Sequence, residues 1–474
     1  MTEDEGPQEG EDAGGTEANG RQDGWAAGAV AQEAQERIRQ ALLALFGRAL
    51  RHRNFRLFTL GQTLSLIGTW MQQVAVGWLV YRMTESAFLL GVVAFVAQAP
   101  TFVLSPVAGV LADHYDKRRI VLITQVVMMV QAFGLAALVF TNAVTIPWVI
   151  ALMAVLGAAM GFDIPARQSF LVEMVGSRED LANAIALNSS MFNAARLVGP
   201  AIAGLLVAAV GEAWCILLNA LSFVAVLAAL LAMEFPERTP RGRMGPVLAG
   251  LKEGFRYAWH FRPMRSILTL VALVSLVGVP FSVLLPVIAT EWLGGGADTL
   301  GFLMAATGLG ALFGALFLAS RRSVRGLSGV IVWAATLFGA SLVGVALSRE
   351  LWLALVCLTL AGFGMMAQMA SSNTVLQTIV DDDKRGRVMS LYSMAFTGVT
   401  PLGSLLMGAI ASAIGAAAAI GAGGLACLGA AAMFAMHRPA LRAAIRPIYQ
   451  RMGILPEVAR GVQAATHNVN VVAD

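Results

Sequence analysis

Charge is scarce in this chain. Asp, Glu, Lys and Arg make up 13% of its 474 residues, roughly half the share found in soluble domains. Cysteine is scarcer still: Cys215, Cys357 and Cys427 stand far apart inside apolar runs, which excludes a disulfide framework and a cysteine metal site. All five histidines (His52, His114, His260, His437 and His467) fall outside those runs. A membrane enzyme would need an acid/base pair or a metal cluster in the apolar interior, so the chain reads as a non-enzyme without cofactor or metal. No GxxxxGK[ST] loop is present, so nucleotide-driven work by this chain is excluded too. Nor is there a cleavable signal, because the first apolar run begins near Leu57, behind an acidic tail and the cluster Arg51, Arg53 and Arg56.

What is abundant is apolar length, with 57% of residues hydrophobic. Twelve runs divide the chain, at 57–81, 87–112, 118–141, 146–168, 182–210, 213–233, 266–290, 299–320, 327–347, 351–376, 387–414 and 416–436. About 20 helical residues cross a hydrocarbon core of about 30 Å. Lipid offers no partner to a free N–H or C=O, so runs of this length must be helical. Basic residues crowd every second gap: Lys117, Arg118 and Arg119; Arg321, Arg322 and Arg325; Lys384, Arg385 and Arg387. The alternate gaps hold only Arg82 and Arg349. The positive-inside bias then puts the basic gaps and both termini in the cytoplasm, giving an all-α, multi-pass protein of the cytoplasmic membrane. The net charge of +4 is explained by loops facing anionic lipid and calls for no nucleic-acid partner.

Residues 1–50 form an N-terminal tail, acidic and Gly-rich over 1–24 and patterned as an amphipathic helix over 26–50. Two six-helix halves, 51–234 and 266–437, flank a linker at 235–265. In that linker Pro246, Val247, Leu251, Phe255 and Trp259 pattern an interfacial helix. Residues 438–474 form a second tail. A shift of 204 residues lays Leu187 on Leu391, Ser189 on Ser393, Phe192 on Phe396, Gly199 on Gly403, Gly204 on Gly408, Ala209 on Ala413 and Gly211 on Gly415, without a gap. Repeated halves rocking about a midplane site are a recurrent transporter plan.

The gap after the second run reads Gly109-Val-Leu-Ala-Asp113-His-Tyr-Asp-Lys117-Arg118-Arg119. It resembles the loop signature of the major facilitator superfamily, with Asp116 where that family has Gly. Run five carries Ala195-Arg-Leu-Val-Gly199-Pro200-Ala-Ile-Ala203-Gly204, similar to the superfamily's exporter motif with Ala in two Gly places. The stretches Asn54-Phe-Arg56-Leu-Phe58 through Gly68-Thr69-Trp70 and Gly161-Phe-Asp163-Ile-Pro165-Ala-Arg167-Gln narrow the resemblance to the branch of enterobactin exporters and macrolide efflux proteins. It covers roughly residues 51–440.

The resemblance implies a twelve-helix carrier that exports a siderophore- or drug-like small molecule by alternating access. It further implies gating by Gly109, Asp113, Lys117, Arg118, Asp163, Arg167, Gly199, Pro200 and Gly204. Asp113 would face the start of the eleventh helix, with Lys117 or Arg118 pairing with Asp163. Asp163 and Arg167, four apart on one helix, are equally placed to pair with each other. Run four lacks the mid-helix Arg of many proton antiporters in the superfamily. Proton or other ion coupling is still the expected drive.

Arg196 is the single most informative residue. A cation in mid-span is costly unless it serves a site, and Asp163, the only carboxylate clearly within a run, lies towards one end. Ser189, Asn193 and Arg196 share one helical face, as do Gln62, Ser65, Thr69 and Gln72 in run one; run ten adds Gln368, Ser372 and Asn373. These are the candidate substrate-binding residues. The expected partners are a small-molecule substrate, a coupling ion and membrane lipids, with the chain acting as a monomer. An importer, a lipid flippase or a non-transporting sensor stays open on the same fold.

Overall fold

The computed structural model describes residues 47–175, 178–234, 255–321, 323–381 and 383–452, with only the backbone given for Val110, Asp113 and Arg178. Most of the two helices expected over 26–50 and after Pro246 lies outside the described residues, which include only the helical segments 47–50 and 255–260. Twelve membrane-scale helices follow one another among the described residues: α1 (Arg53–Thr84), α2 (Ala87–His114), α3 (Lys117–Phe140), α4 (Ile146–Val175), α5 (Arg178–Val210), α6 (Glu212–Leu231), α7 (Arg262–Trp292), α8 (Ala297–Ala319), α9 (Leu327–Leu347), α10 (Leu351–Ile379), α11 (Arg385–Ile414) and α12 (Ala416–Arg451). No strand occurs among these residues. Eleven of the helices are long and apolar enough to cross a bilayer. The exception is α1, whose 32 residues include Gln62, Thr63, Ser65, Thr69, Gln72 and Gln73. The last helix overruns its expected end at 436, continuing through Pro439 and Pro447 to Arg451.

Sequence chemistry sets the helix ends. Ser86 caps α2 by accepting from the Leu89 N–H at 3.3 Å, and Asp116 caps α3 by accepting from the Arg118 N–H at 2.9 Å. The departure from Gly at Asp116 therefore costs nothing: φ there is −62°, and the carboxylate satisfies an otherwise free donor. Gly211 (φ 90°) and Gly415 (φ 87°) turn the chain into α6 and α12, a backbone region that side chains disfavour.

Helix α1 packs on α5 and α6, α2 on α4, and α3 on α4 and α6; six helices later α7 packs on α11 and α12, α8 on α10, and α9 on α10 and α12. The two sets meet chiefly through α5 against α8 and α2 against α11. The glycines matched by the 204-residue shift occupy matching contacts. Gly199 lies against Trp70 and Ile67 of α1, as Gly403 lies against Leu276 and Pro280 of α7. Gly204 meets Gly301 of α8, and Gly408 meets Gly91 of α2.

Two helices are interrupted. Helix α7 passes from α-helix (Arg262–Val277) into a 3-10 stretch (Val279–Leu284) at Pro280 and ends in a π turn (Ile288–Trp292). Helix α11 carries a π turn (Met394–Gly398) just before Pro401. A proline supplies no N–H to the carbonyl four residues back, and the helix accommodates by changing its winding. Much of the outer surface is apolar, as at Leu60, Val103 and Trp352, which suits lipid as the surrounding solvent.

Candidate functional site

The helices begin at one end of the bundle with Arg53, Lys117, Arg262 and Arg385, here called the basic end. At the opposite end Tyr81 of α1 donates a short hydrogen bond to Glu291 of α7. Nearby, Arg82 pairs with Glu212 at 2.7 Å, and Arg349 lies 3.6 Å from the centre of the Trp292 ring. A Cβ on Gly301 would fall 2.6 Å from the Gly204 Cα, and one on Gly408 would fall 3.0 Å from the Gly91 Cα. These close approaches join the two helix sets from the opposite end to mid-bundle, where Gly308 lies against the Arg196 carbonyl. That carbonyl is the one Pro200, lacking an N–H, leaves without its helical partner. At the basic end nothing described lies within 4 Å of a Cβ built on Gly109 or Gly386.

Lys117 and Arg118, expected to pair with Asp163, find other partners at the basic end, and of the two expectations for Asp163 the pair with Arg167 is the one formed. The Lys117 Nζ meets the Glu173 carboxylate at 2.6 Å, and Arg118 donates to the Leu230 and Leu231 carbonyls at 3.0 and 3.1 Å. Neither reaches Asp163. Lys117 opens α3 beside the end of α4, and Arg118 caps the free carbonyls of α6 where the helix dipole favours a cation. Asp163, 2% exposed, pairs instead with Arg167 one turn on at 3.3 Å and accepts from Thr124 and Gln125, each at 3.0 Å. The Asp113 side chain lies outside the described ones.

The substrate candidates separate into three groups. On α1, Gln72 accepts from Asn219 of α6 at 2.6 Å and donates to Gln131 of α3 at 3.3 Å. Ser65 is 2% exposed, and Thr69 donates to the Ser65 carbonyl. Gly61 and Gly68 share the face of Ser65 and Gln72, and a Cβ on Gly68 would fall 2.6 Å from the Asn219 Oδ1. This stripe packs α1 onto α6. Gln62 is buried with its Oε1 unpartnered among the described residues.

On α5, the Arg196 guanidinium lies 5.8 Å from the Trp70 ring centre, within cation–π range. Phe192 stands edge-on to the same ring at 5.8 Å. Asn193 donates to the Ser189 carbonyl at 2.8 Å and keeps a buried, unpartnered Oδ1. Arg196 has no carboxylate partner among the described residues. On α10, Gln368 and Ser372 are fully buried and bonded to each other at 3.2 Å, while Asn373 accepts from Gln377 at 3.0 Å. This group shares no hydrogen bond with the α5 group. Of these three groups among the described residues, the α5 group with Trp70 presents a charge, aromatic faces and a free acceptor together.

Sequence reasoning did not include Trp70 and Phe192 among the candidate residues, and it missed the Tyr81–Glu291 bond and the broken α7. For α7 the signal was present in Gly278-Val279-Pro280 and Pro286. Tyr81 and Glu291 lie 210 residues apart, and no local pattern links them.

An all-helical bundle of this connectivity is the fold of major facilitator carriers. It is shared with a bacterial homologue of the human lysosomal transporter Spinster in an inward-facing, unoccupied conformation (TM-score 0.63, 16% identity, 86% of this chain and 99% of that one). A POT family transporter is similar at TM-score 0.67 and 11% identity, over 82% of this chain and 96% of that one. Residues 47–469 match the family described as Transmembrane secretion effector, and the chain belongs to it: it is a major facilitator transporter, not an enzyme. Among its relatives, the multidrug efflux pump Tap of Mycolicibacterium fortuitum is 30% identical over 72% of this chain and 85% of that protein. The staphyloferrin A transporter of Staphylococcus aureus is 28% identical (74% and 88%). The enterobactin exporter EntS of Shigella boydii is also 28% identical (76% and 85%).

Proposed function

We propose that this chain exports an anionic, oxygen-rich small molecule of siderophore type out of the cytoplasm by alternating access. Two six-helix halves, 51–234 and 266–437, rock about a midplane site with the basic end and both termini in the cytoplasm. The observation that carries the reading is Arg196, a mid-helix cation beside an aromatic face with no described carboxylate to neutralise it. Holding such a charge in a low-dielectric interior is costly, and a carboxylate or catecholate substrate relieves that cost when bound. Trp70 and Phe192 supply surfaces for a planar group, and the Asn193 Oδ1 accepts from a hydroxyl. The relatives named for staphyloferrin A and enterobactin support the same class. An ion or proton gradient drives the cycle in this proposal, with no nucleotide loop to provide another source. A second reading, efflux of planar drugs, is favoured by the 46% exposure of Phe192 and by the Tap relative.

The test is substrate binding and flux in proteoliposomes across anionic, neutral and cationic compounds, for wild type, Arg196→Gln and Arg196→Lys. A buried charge contact is worth about 2–3 kcal/mol, so Arg196→Gln should weaken anionic ligands about 30- to 150-fold, with Lys restoring part. Equal loss for all three classes together with a lower melting temperature would make Arg196 structural. Unchanged binding would place the substrate elsewhere.

A further inference from the structure

A described cavity lies away from the mid-bundle cluster, at the basic end. A cleft of about 860 Å³ opens at the basic end, between the helical segment 255–260, the end of α10, the start of α11 and the last turn of α12. Arg256, His260, Lys384, Arg385 and Arg451 line it, and Asp381 is the carboxylate among its described lining residues, with Asp383 close enough to act on Tyr257. Asp381 is already engaged: the Tyr257 hydroxyl donates to it at 2.9 Å and the Lys384 ammonium lies at 3.7 Å. Burial first, and then the bond to Asp381, raise the Tyr257 phenol above its ordinary value, so it stays a donor throughout the physiological range. Arg256 and Arg451 have no acidic partner among the described residues. The cleft therefore brings Arg256, Lys384, Arg385 and Arg451 together from three separate parts of the chain, with Arg256 and Arg451 in want of an anion.

We propose that this cleft binds the phosphate headgroup of an anionic phospholipid. Phosphate chemistry follows from the cation cluster; the lipid source follows from what surrounds it. Phe255 and Trp259 lie on the same helical segment as Arg256 and His260, are 53% and 49% exposed, and stack on each other at 5.3 Å. Arg265 sits 5.8 Å from the Trp259 ring. Exposed aromatics beside cations at the end of a membrane helix mark the headgroup level of a bilayer. Phe261, Ile379 and Ile448 give the cleft apolar walls, which suit a glycerol and acyl stem rather than a hydrated ion.

The experiment is lipid retention on the purified full-length protein, by native mass spectrometry and thermal unfolding, with phosphatidylglycerol, phosphatidylcholine and inorganic phosphate as separate probes. Wild type should retain phosphatidylglycerol over phosphatidylcholine and melt higher with it, and millimolar phosphate should not displace it. The triple variant Arg256→Gln/Lys384→Gln/Arg451→Gln should bind phosphatidylglycerol on the order of 100-fold more weakly, at roughly fivefold per charge. If the triple variant does not fold, Arg451→Gln alone, at an exposed position, should show its roughly fivefold share. Trp259→Ala should weaken the lipid as well. Equal retention of both lipids, or full retention by the charge variants, would overturn the proposal. Displacement by inorganic phosphate alone would also overturn it, by making the cleft a site for soluble anions.

Discussion

Asp163 shows how one buried carboxylate is used when its partners are within reach on its own and the neighbouring helix. It ties Arg167 on α4 to Thr124 and Gln125 on α3, so its loss is felt in packing before it is felt in transport. We expect Asp163→Asn to leave Arg167 uncompensated and to cost about 1–3 kcal/mol, less than a fully buried pair because the Arg167 side chain is 21% exposed. Thermal unfolding in detergent would show this as a lower melting temperature, partly recovered in Asp163→Asn/Arg167→Gln. An unchanged melting temperature with abolished ion coupling would instead make Asp163 a carrier of the coupling proton. The Asp163–Arg167 pair was legible in the sequence because four residues is one helical turn. The partner of Lys117 was not legible, because Glu173 lies 56 residues away and only the packing of α3 on α4 brings it near.

Among the elements, α5 and α8 carry a seam built on absent side chains. Gly301→Val would push atoms into a 2.6 Å approach to the Gly204 backbone, where neither helix has a flexible side chain to yield. Overpacking of this kind costs about 1–3 kcal/mol, which shifts a two-state equilibrium about five- to 150-fold. Transport by Gly301→Val should fall accordingly at normal expression, and the opposite end should become more reactive to added thiol reagents at an introduced cysteine. Wild-type flux would remove the seam from the cycle. Helix positions were read well from apolar length alone, because lipid forces the backbone into helices. Facing was read less well. The stripe Gln62, Ser65, Thr69 and Gln72 identifies a polar face of α1, but a polar face can point at a cavity or at a neighbour. Gly61 and Gly68 beside it decide the matter by admitting α6. Proline-driven changes of winding in α7 and α11 were invisible to an apolar count, although Pro280, Pro286 and Pro401 mark them.

For the whole molecule, the proposed orientation predicts that a cysteine near Ala143 reacts with impermeant reagents from outside the cell and one near Ser323 does not. Reversed labelling would invert the proposed topology and with it the direction of transport. Gly204 on Gly301 and Gly408 on Gly91 are two seams made from positions matched by the 204-residue shift, and both lie between the same two sets of helices. In the proposed cycle the two sets separate as rocking halves, so both contacts break in the same opening step. Opening on that side should therefore be all-or-none. Lesions in the two seams should produce the same phenotype, and a cross-link across either one should silence the transporter as completely as a cross-link across both.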